Sequence, residues 1–461
     1  MLRYIGCTGH AHEVATVFGD EIAIRAQTLV HDAANPAEVL RDVLAFATAG
    51  RPPEQHEQIA STIQAGLVDW AVNNFTSGCE VADMLAARLG FGSGVRNALG
   101  FTFERWNGSG FPAGAAGGAI PLAMRVVHLS HDMEAHGRIY SPAEAVEVAR
   151  DRSGRTYDPE LVDLFEAHGM SWFDELGKLD PWDAVLDLEP QPHRALDGAQ
   201  LDDALTVVAD FIDLKSPYMA GHSRRCAQLA ALAAGLLGLG DGDIATIRRA
   251  ALVHELGTTA IPNSIWDKPG QLTRAEFDRV ERHTLLTEQM LRRSPALAVL
   301  NPIAATHHEK KDGSGYHKGL RCDAADPGAS LLTPVDMFVA LTTDRADRPA
   351  FSPEHAASEL RRLAAEGVLD ERATDAVLAA AGHDDAVGRK AQRRTHPGGL
   401  TGREVEVLRL AARGLTTKEI AGQLFIAPKT ADHHIENVYT KIGVSTRAAA
   451  ALWAMQHAVV Q

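Results

Sequence analysis

Toward its C-terminal end the chain spaces its apolar residues as buried helix faces require. Val405 and Leu408, Ile420 and Leu424, then Ile435, Val438 and Ile442 fall three or four apart, with Ile426 beside the second group. Thr401 with Glu404 and Thr416 with Glu419 fit the S/T-x-x-E capping box, which satisfies the orphan amides of a first turn. Gly414 stands where a left-handed C-terminal cap belongs, and Pro428 falls in a first turn, where its missing N–H costs nothing. Gly443 ends that helix and Ser445 is the expected cap of a fourth. The pattern predicts four short helices around one core over residues 398–461.

Upstream the chain echoes itself. FERWNGSGFPAG from Phe103 is matched by HEKKDGSGYHKG from His308, and each is followed by an apolar stretch reaching Asp132-Met133 or Asp336-Met337. LRYIGCT at Leu2 matches VHELGTT at Val253, and SPAEA at Ser141 matches SPEHA at Ser352. Two copies of one helical unit are therefore expected, over residues 1–170 and 201–383. A Pro-, Asp- and Gly-containing linker with one short helix occupies 171–200, and a basic linker 384–397 leads to the C-terminal domain. The first copy lacks the counterpart of the two helices before His254. Either the second copy completes its packing or the true start codon lies upstream.

Composition is globular and leans toward helix: 45% hydrophobic, 23% charged, 6% aromatic. No run of eighteen apolar residues and no secretory signal occurs, so no membrane association and a cytoplasmic location are expected. Cys7, Cys79, Cys226 and Cys322 form no CxxC pair and read as ordinary reduced thiols. The net charge of −15 is uneven: residues 389–461 carry 11 Lys and Arg against 5 Asp and Glu. A basic end on an acidic body points to a nucleic-acid partner for that end alone.

The string LTGREVEVLRLAARGLTTKEIAGQLFIAPKTADHHIENVYTKIGVSTRAAA closely resembles the LuxR-type helix-turn-helix domain. The resemblance implies DNA as partner, with the helix from Pro428 to Lys441 in the major groove and Lys429, Thr430, Asp432, His433, Glu436 and Lys441 near bases or phosphates. Ala427 stands where the family usually has a capping Ser. Asp432 and Glu436 stand where it often has basic residues, which shifts phosphate attraction to Lys429, Lys441 and the Arg389 to Arg394 stretch and implies an altered sequence preference. Such domains act as dimers, so a homodimer is expected.

In the second copy, imidazole and carboxylate groups recur at His222, His254, Glu255, His283, His307, His308 and Asp336, a donor set suited to Fe, Mn or Zn. The words GHSRRCAQLA, ALVHELG, IPNSIWDKPGQLT, ERHTLLTEQML, HHEKKDGSGYHKG and TPVDMFVALTTDR resemble the HD-GYP family in its order. The resemblance implies a mainly α fold of two tandem HD-GYP-like bundles, the first degenerate. It also implies a metal-dependent phosphodiesterase acting on cyclic di-GMP or a related cyclic dinucleotide. Those seven side chains are its implied metal ligands, His254 and Glu255 its implied catalytic dyad, and Gly313, Gly315 and Tyr316 its implied substrate loop. Two divalent ions are implied, iron or manganese with zinc as the alternative, because Tyr218 stands where three-metal members carry Glu.

Three departures set the alternative. Glu255 replaces the Asp of the HD dyad, Thr258 replaces a Lys used near the scissile phosphate, and the GYP motif reads Gly315-Tyr316-His317. The alternative is a catalytically inactive sensor or scaffold controlling the DNA-binding domain. In the first copy the corresponding positions read as Arg3-Tyr4, Cys79, Thr102-Phe103 and Asp132, so no metal is expected there. His128 and His131 read as helix residues.

Overall fold

The computed structural model describes residues 2–460 apart from 33, 49–50, 192–194, 322–326 and 384–395. Cys322 and most of the basic linker, including the Arg389 to Arg394 stretch, lie outside the described residues. The chain is helical with no strand among the described residues, and it divides into two compact units. One comprises residues 1–10 and 16–201, the other residues 11–15 and 202–461.

In the first unit the helices Leu122–Ile139, Pro142–Asp151 and Pro159–Leu176 close around a core of Leu129, Met133, Ala145, Ala149, Tyr157, Val162 and Phe165. Ser141 and Asp158 start the second and third of these, each accepting from a first-turn amide ahead of a proline. The third runs six residues beyond the expected boundary at 170, and the expected short linker helix is Pro181–Asp187. Between the stretch at Arg3 and the long helix Pro53–Arg88, this copy inserts the helices Glu21–Thr28 and Pro36–Thr48. The turn after Glu21–Thr28 is tied back to the core. Arg152 donates to the Val30 and His31 carbonyls, and the Thr156 hydroxyl donates to Asp32 at 2.7 Å.

In the second unit the helix His222–Leu236 is central, packing against Asp241–Val253, Pro327–Leu341 and Glu371–Ala380. Its small buried residues, Ala227, Ala230, Ala233 and Ala234, allow this close approach. Arg274–Leu291 carries both halves of a capping box, Thr273 with Glu276.

The same unit ends in the helices Gly402–Ala412, Thr417–Gln423, Pro428–Ile442 and Arg447–Gln456. Both expected capping boxes are present, and Gly443 takes the left-handed conformation at φ 70°. The fourth helix is capped by Thr446, whose hydroxyl accepts from the Ala449 amide, and not by Ser445. Val407, Ala411, Ile420, Ala421 and Ala431 form one core with Leu424, Ile426 and Ile435 against it.

Candidate metal centre

Seven side chains scattered over 115 residues of sequence meet inside the second unit. His222 opens one helix, His254 ends another, Glu255 follows it, and His283 lies within Arg274–Leu291. His307 and His308 sit in the turn after Asn301–Ala304, and Asp336 faces them from Pro327–Leu341. All but the half-buried His308 are buried.

The backbone fixes which ring nitrogens look inward. Nδ1 of His254, His283 and His307 each meets the carbonyl three residues earlier, at 2.9, 2.6 and 2.7 Å. A carbonyl only accepts, so each Nδ1 carries the proton and each Nε2 of a neutral ring presents its lone pair to the interior. His283 Nε2 and His307 Nε2 then face one another at 3.1 Å, two acceptors that a cation between them would reconcile. His254 Nε2 is buried with no hydrogen-bond partner. Metal-binding histidines are oriented in this way through their second nitrogen. The residues present therefore fit a metal.

The donors fall into two groups, within each of which the ligand atoms lie within 4.8 Å of one another: His222, Cys226, His254 and Asp336, then Glu255, His283, His307 and His308. The carboxylates reach toward both. Asp336 Oδ1 is 3.1 Å from His222 Nε2 and 3.7 Å from His254 Nε2, while Oδ2 is 3.9 Å from His308. Glu255 stands 3.5 Å from His283 Nε2 and 4.0 Å from His222 Nε2. The extra methylene of Glu255, relative to the Asp of the dyad, thus does not carry it out of the site.

Electrostatics divides the set: against burial, Cys226 and Asp336 raise His222 to about 9, and Asp336 and Cys226 raise His254 well above the usual imidazole range. Burial, joined by the facing histidines, holds His307 well below the usual imidazole range. Burial outweighs Asp336 and, with His283, pushes His308 down to about 4. Burial works against ionisation of Asp336, yet the facing imidazoles of His222, His254 and His308 hold it well below the carboxylate range. Against the same burial, His283 and His254 lower Glu255. His307, His308, Glu255 and Asp336 are thus held in their metal-ligating forms, while His222 and His254 would give up a proton on binding a cation.

The loop residues divide. Tyr316 is half-buried, its ring 4.7 Å from that of His308, and burial beside Glu255 and Asp336 raises its phenol so that it keeps its proton. Gly315 lies against backbone: a Cβ there would fall 2.3 Å from the His308 carbonyl oxygen. Gly313 takes φ +80° in the turn. Below them Glu309 accepts from the Lys318 and Leu320 amides at 2.7 and 2.8 Å, which fixes the loop. Thr258, at the position expected to hold a lysine, is buried and donates to the Glu255 carbonyl at 2.7 Å.

The first copy keeps this frame and loses the donors. Glu104 accepts from the Ala113 and Ala115 amides at 2.8 and 2.9 Å, as Glu309 does in its loop. A Cβ on Gly6 would fall 1.8 Å from the Gly78 carbonyl oxygen, and one on Gly257 1.9 Å from that of His283. Gly78, not Cys79, is therefore the counterpart of His283, and the ring of His10 lies against it. Asp132 is held by Arg3 at 3.0 Å and the Tyr157 hydroxyl at 3.2 Å. His128 and His131 lie on the helix Leu122–Ile139, His128 against the Thr102 carbonyl and His131 against Asp132.

At the C-terminal end, Lys429, Thr430, Asp432, His433 and Glu436 are exposed on the helix Pro428–Ile442, while Ala431 and Val438 face the core. Lys441 is engaged: its ammonium meets Glu404 at 2.7 Å. Cys226 is the site residue that sequence reasoning missed. Its signal is the i, i+4 spacing from His222, which puts both on one helix face.

Comparison with known proteins accords with this geometry. The HD domain family matches residues 74–161 and 206–372, and the family of bacterial regulatory proteins of the luxR type matches residues 399–454. The 3'3'-cGAMP-specific phosphodiesterase 3 of Vibrio cholerae is 32% identical over 358 residues, spanning 76% of this chain and 77% of that protein. The cyclic di-GMP phosphodiesterase response regulator RpfG of Xanthomonas campestris is 34% identical over 179 residues, 38% of this chain and 47% of that protein. A crystal structure of the cyclic GMP-AMP specific phosphodiesterase V-cGAP3 of V. cholerae superposes with a TM-score of 0.52 at 27% identity, over 83% of this chain and 92% of that one. HD-domain phosphodiesterases are metal-dependent, and no described helix here is long and apolar enough to cross a membrane. The chain belongs to the HD-domain family, with the HD unit present twice and a LuxR-type helix-turn-helix domain at its C-terminal end.

Proposed function

We propose that this protein is a DNA-binding regulator whose second HD unit hydrolyses a cyclic dinucleotide at a two-metal centre, and that it works as a homodimer in the cytoplasm. The observation that carries the reading is the pair of four-donor groups with Glu255 and Asp336 reaching toward both. Two divalent ions, iron or manganese with zinc as the alternative, would supply Lewis-acid activation of a phosphoryl oxygen and of the attacking water. Water adds to phosphorus, one phosphorus–oxygen bond to a ribose 3'-oxygen breaks, and that oxygen takes a proton, giving the linear dinucleotide. His254 and Glu255 hold the reacting centre, and Gly313 and Gly315 set the turn that brings Tyr316 beside it. The Tyr316 ring offers a face on which a base can stack.

The similarity over most of the V. cholerae cyclic GMP-AMP phosphodiesterase makes 3'3'-cGAMP the first substrate to test and cyclic di-GMP the second. Full-length protein reconstituted with Mn or Fe(II) is expected to linearise one of them, with turnover abolished in His254→Ala. Binding of either dinucleotide without turnover by metal-replete protein would instead establish the sensor. One observation favours that second reading: Thr258 places a neutral hydroxyl, already spent on the Glu255 carbonyl, where the family's lysine would meet phosphate.

For the C-terminal domain, the exposed Lys429, Thr430, Asp432, His433 and Glu436 are proposed to face DNA. Lys441 would serve chiefly to hold its own helix against Glu404. The isolated segment from Gly398 is expected to bind weakly in a gel shift, and the full chain more tightly through dimerisation. Equal affinity of the two would count against the dimer.

A further inference from the structure

We propose that Cys226 is a metal ligand, so that one of the two metal positions carries a thiolate and differs in kind from the other. The inference rests on the metal-binding reading above and names a donor beyond the seven histidines and carboxylates.

The helix His222–Leu236 starts at His222, and Cys226 follows one turn later on the same face. Its sulfur is fully buried and lies 3.5 Å from His222 Nε2. A buried cysteine on a helix face is often only a small apolar packing residue. Here the surroundings are those of a coordination site. Sγ, His222, His254 and Asp336 present one ligand atom each, all within 4.8 Å of one another. Independently of the cysteine, His254 Nε2 is completely buried with no hydrogen-bond partner, and in the neutral ring, whose Nδ1 donates to Ala251, it is the nitrogen that carries the lone pair. A buried imidazole nitrogen grouped with a sulfur, a second imidazole and a carboxylate is the arrangement of a four-donor metal site.

The other group, Glu255, His283, His307 and His308, contains no sulfur. The two positions therefore offer S, N, N, O against N, N, N, O. Thiolate is a soft donor and selects zinc or ferrous iron over manganese and magnesium, whereas the nitrogen and oxygen set accepts the harder ions as well. On loading, the thiol gives up its proton to solvent and the metal–sulfur bond forms, with no change in oxidation state. Cys226 thus makes the centre asymmetric, one position retaining a soft metal and the other exchanging freely.

The test uses the full chain, metal-stripped and reloaded. With Co(II), the wild-type protein is expected to show an intense near-ultraviolet thiolate-to-cobalt charge-transfer band alongside the weaker visible bands. Cys226→Val, close in size to the cysteine, is expected to lose the first and keep the second. In zinc-loaded wild-type protein, X-ray absorption should show sulfur at about 2.3 Å, one per two zincs, a measurement that needs no variant. The valine variant should also release one of its two zincs with a dissociation constant raised on the order of 100-fold, the upper end of what losing even an outer-shell partner costs. Visible bands without a charge-transfer band, or zinc with only nitrogen and oxygen neighbours, would overturn the thiolate assignment and leave the metal reading standing. Failure of wild-type protein to take up cobalt or zinc at all would overturn both.

Discussion

Asp132 and Asp336 occupy the same place in two copies of one helical unit, yet they are neutralised by opposite means. Asp132 is met by the guanidinium of Arg3, which stands where the second copy has His254. Asp336 is surrounded by His222, His254 and His308, a donor set in which a bound cation would supply the countercharge. A buried carboxylate needs a countercharge in either case. In the first copy the chain supplies it as the Arg3 guanidinium, and with Gly78 and Phe103 in place of His283 and His308 the frame survives as pure architecture. The equivalent carboxylate–loop contacts of Glu104 and Glu309 show what the frame itself requires. What differs is the chemistry placed on it.

That contrast can be broken most sharply at the paired aspartates. Asp336→Asn is expected to empty the metal centre and bring turnover to background, whereas Asp132→Asn should leave metal content and turnover untouched. Metal analysis beside a dinucleotide hydrolysis assay reads both, and metal loss in the second variant would end the comparison. Next in size, Arg3→Ala leaves Asp132 buried without its nearest cation and should destabilise the first unit by about 3 kcal/mol, measured by urea denaturation. An unchanged midpoint would mean that Arg3 does not stand in for the missing metal.

Acid should act differently on the two copies. In the first, burial, with Arg25 for His10 and Arg105 for His128, depresses these imidazoles to about 3. Since the unfolded imidazole titrates near 6.5, the unfolded chain binds more protons across that interval. The contribution of both residues is fully present above pH 6.5 and is lost as pH falls toward 3. The expected outcome is a falling melting temperature for the first unit that His128→Gln moderates, while the second unit releases metal over the same range. The smallest effect is in the DNA reader. Lys429→Ala should reduce the slope of log affinity against log salt by about 1, and Lys441→Ala by less, because its ammonium is already held by Glu404.

Local signals in the sequence specified a good deal: the two copies, the capping boxes at Thr401 and Thr416, the proline and glycine that bound the reading helix, and the loop words around Gly108 and Gly313. Each depends on neighbours a few residues apart, where backbone rules operate directly. The seven side chains that meet in the second unit were also legible, but only as a set, since nothing in their spacing says which stand together. Tertiary structure made that division and brought Glu255 between the two groups. It also decided four matters that short-range pattern could not. Cys226 looks in sequence like any small apolar helix residue, and its neighbours at His254 and Asp336 come from distant helices. Gly78 replaced Cys79 as the counterpart of His283 because backbone approach at Gly6, not residue chemistry, sets the register. Thr446 took the cap from Ser445 by one residue, and the exposed Lys441 paired with Glu404. Periodicity and caps are properties of a segment; coordination and charge pairing belong to side chains that meet only after the segments have packed.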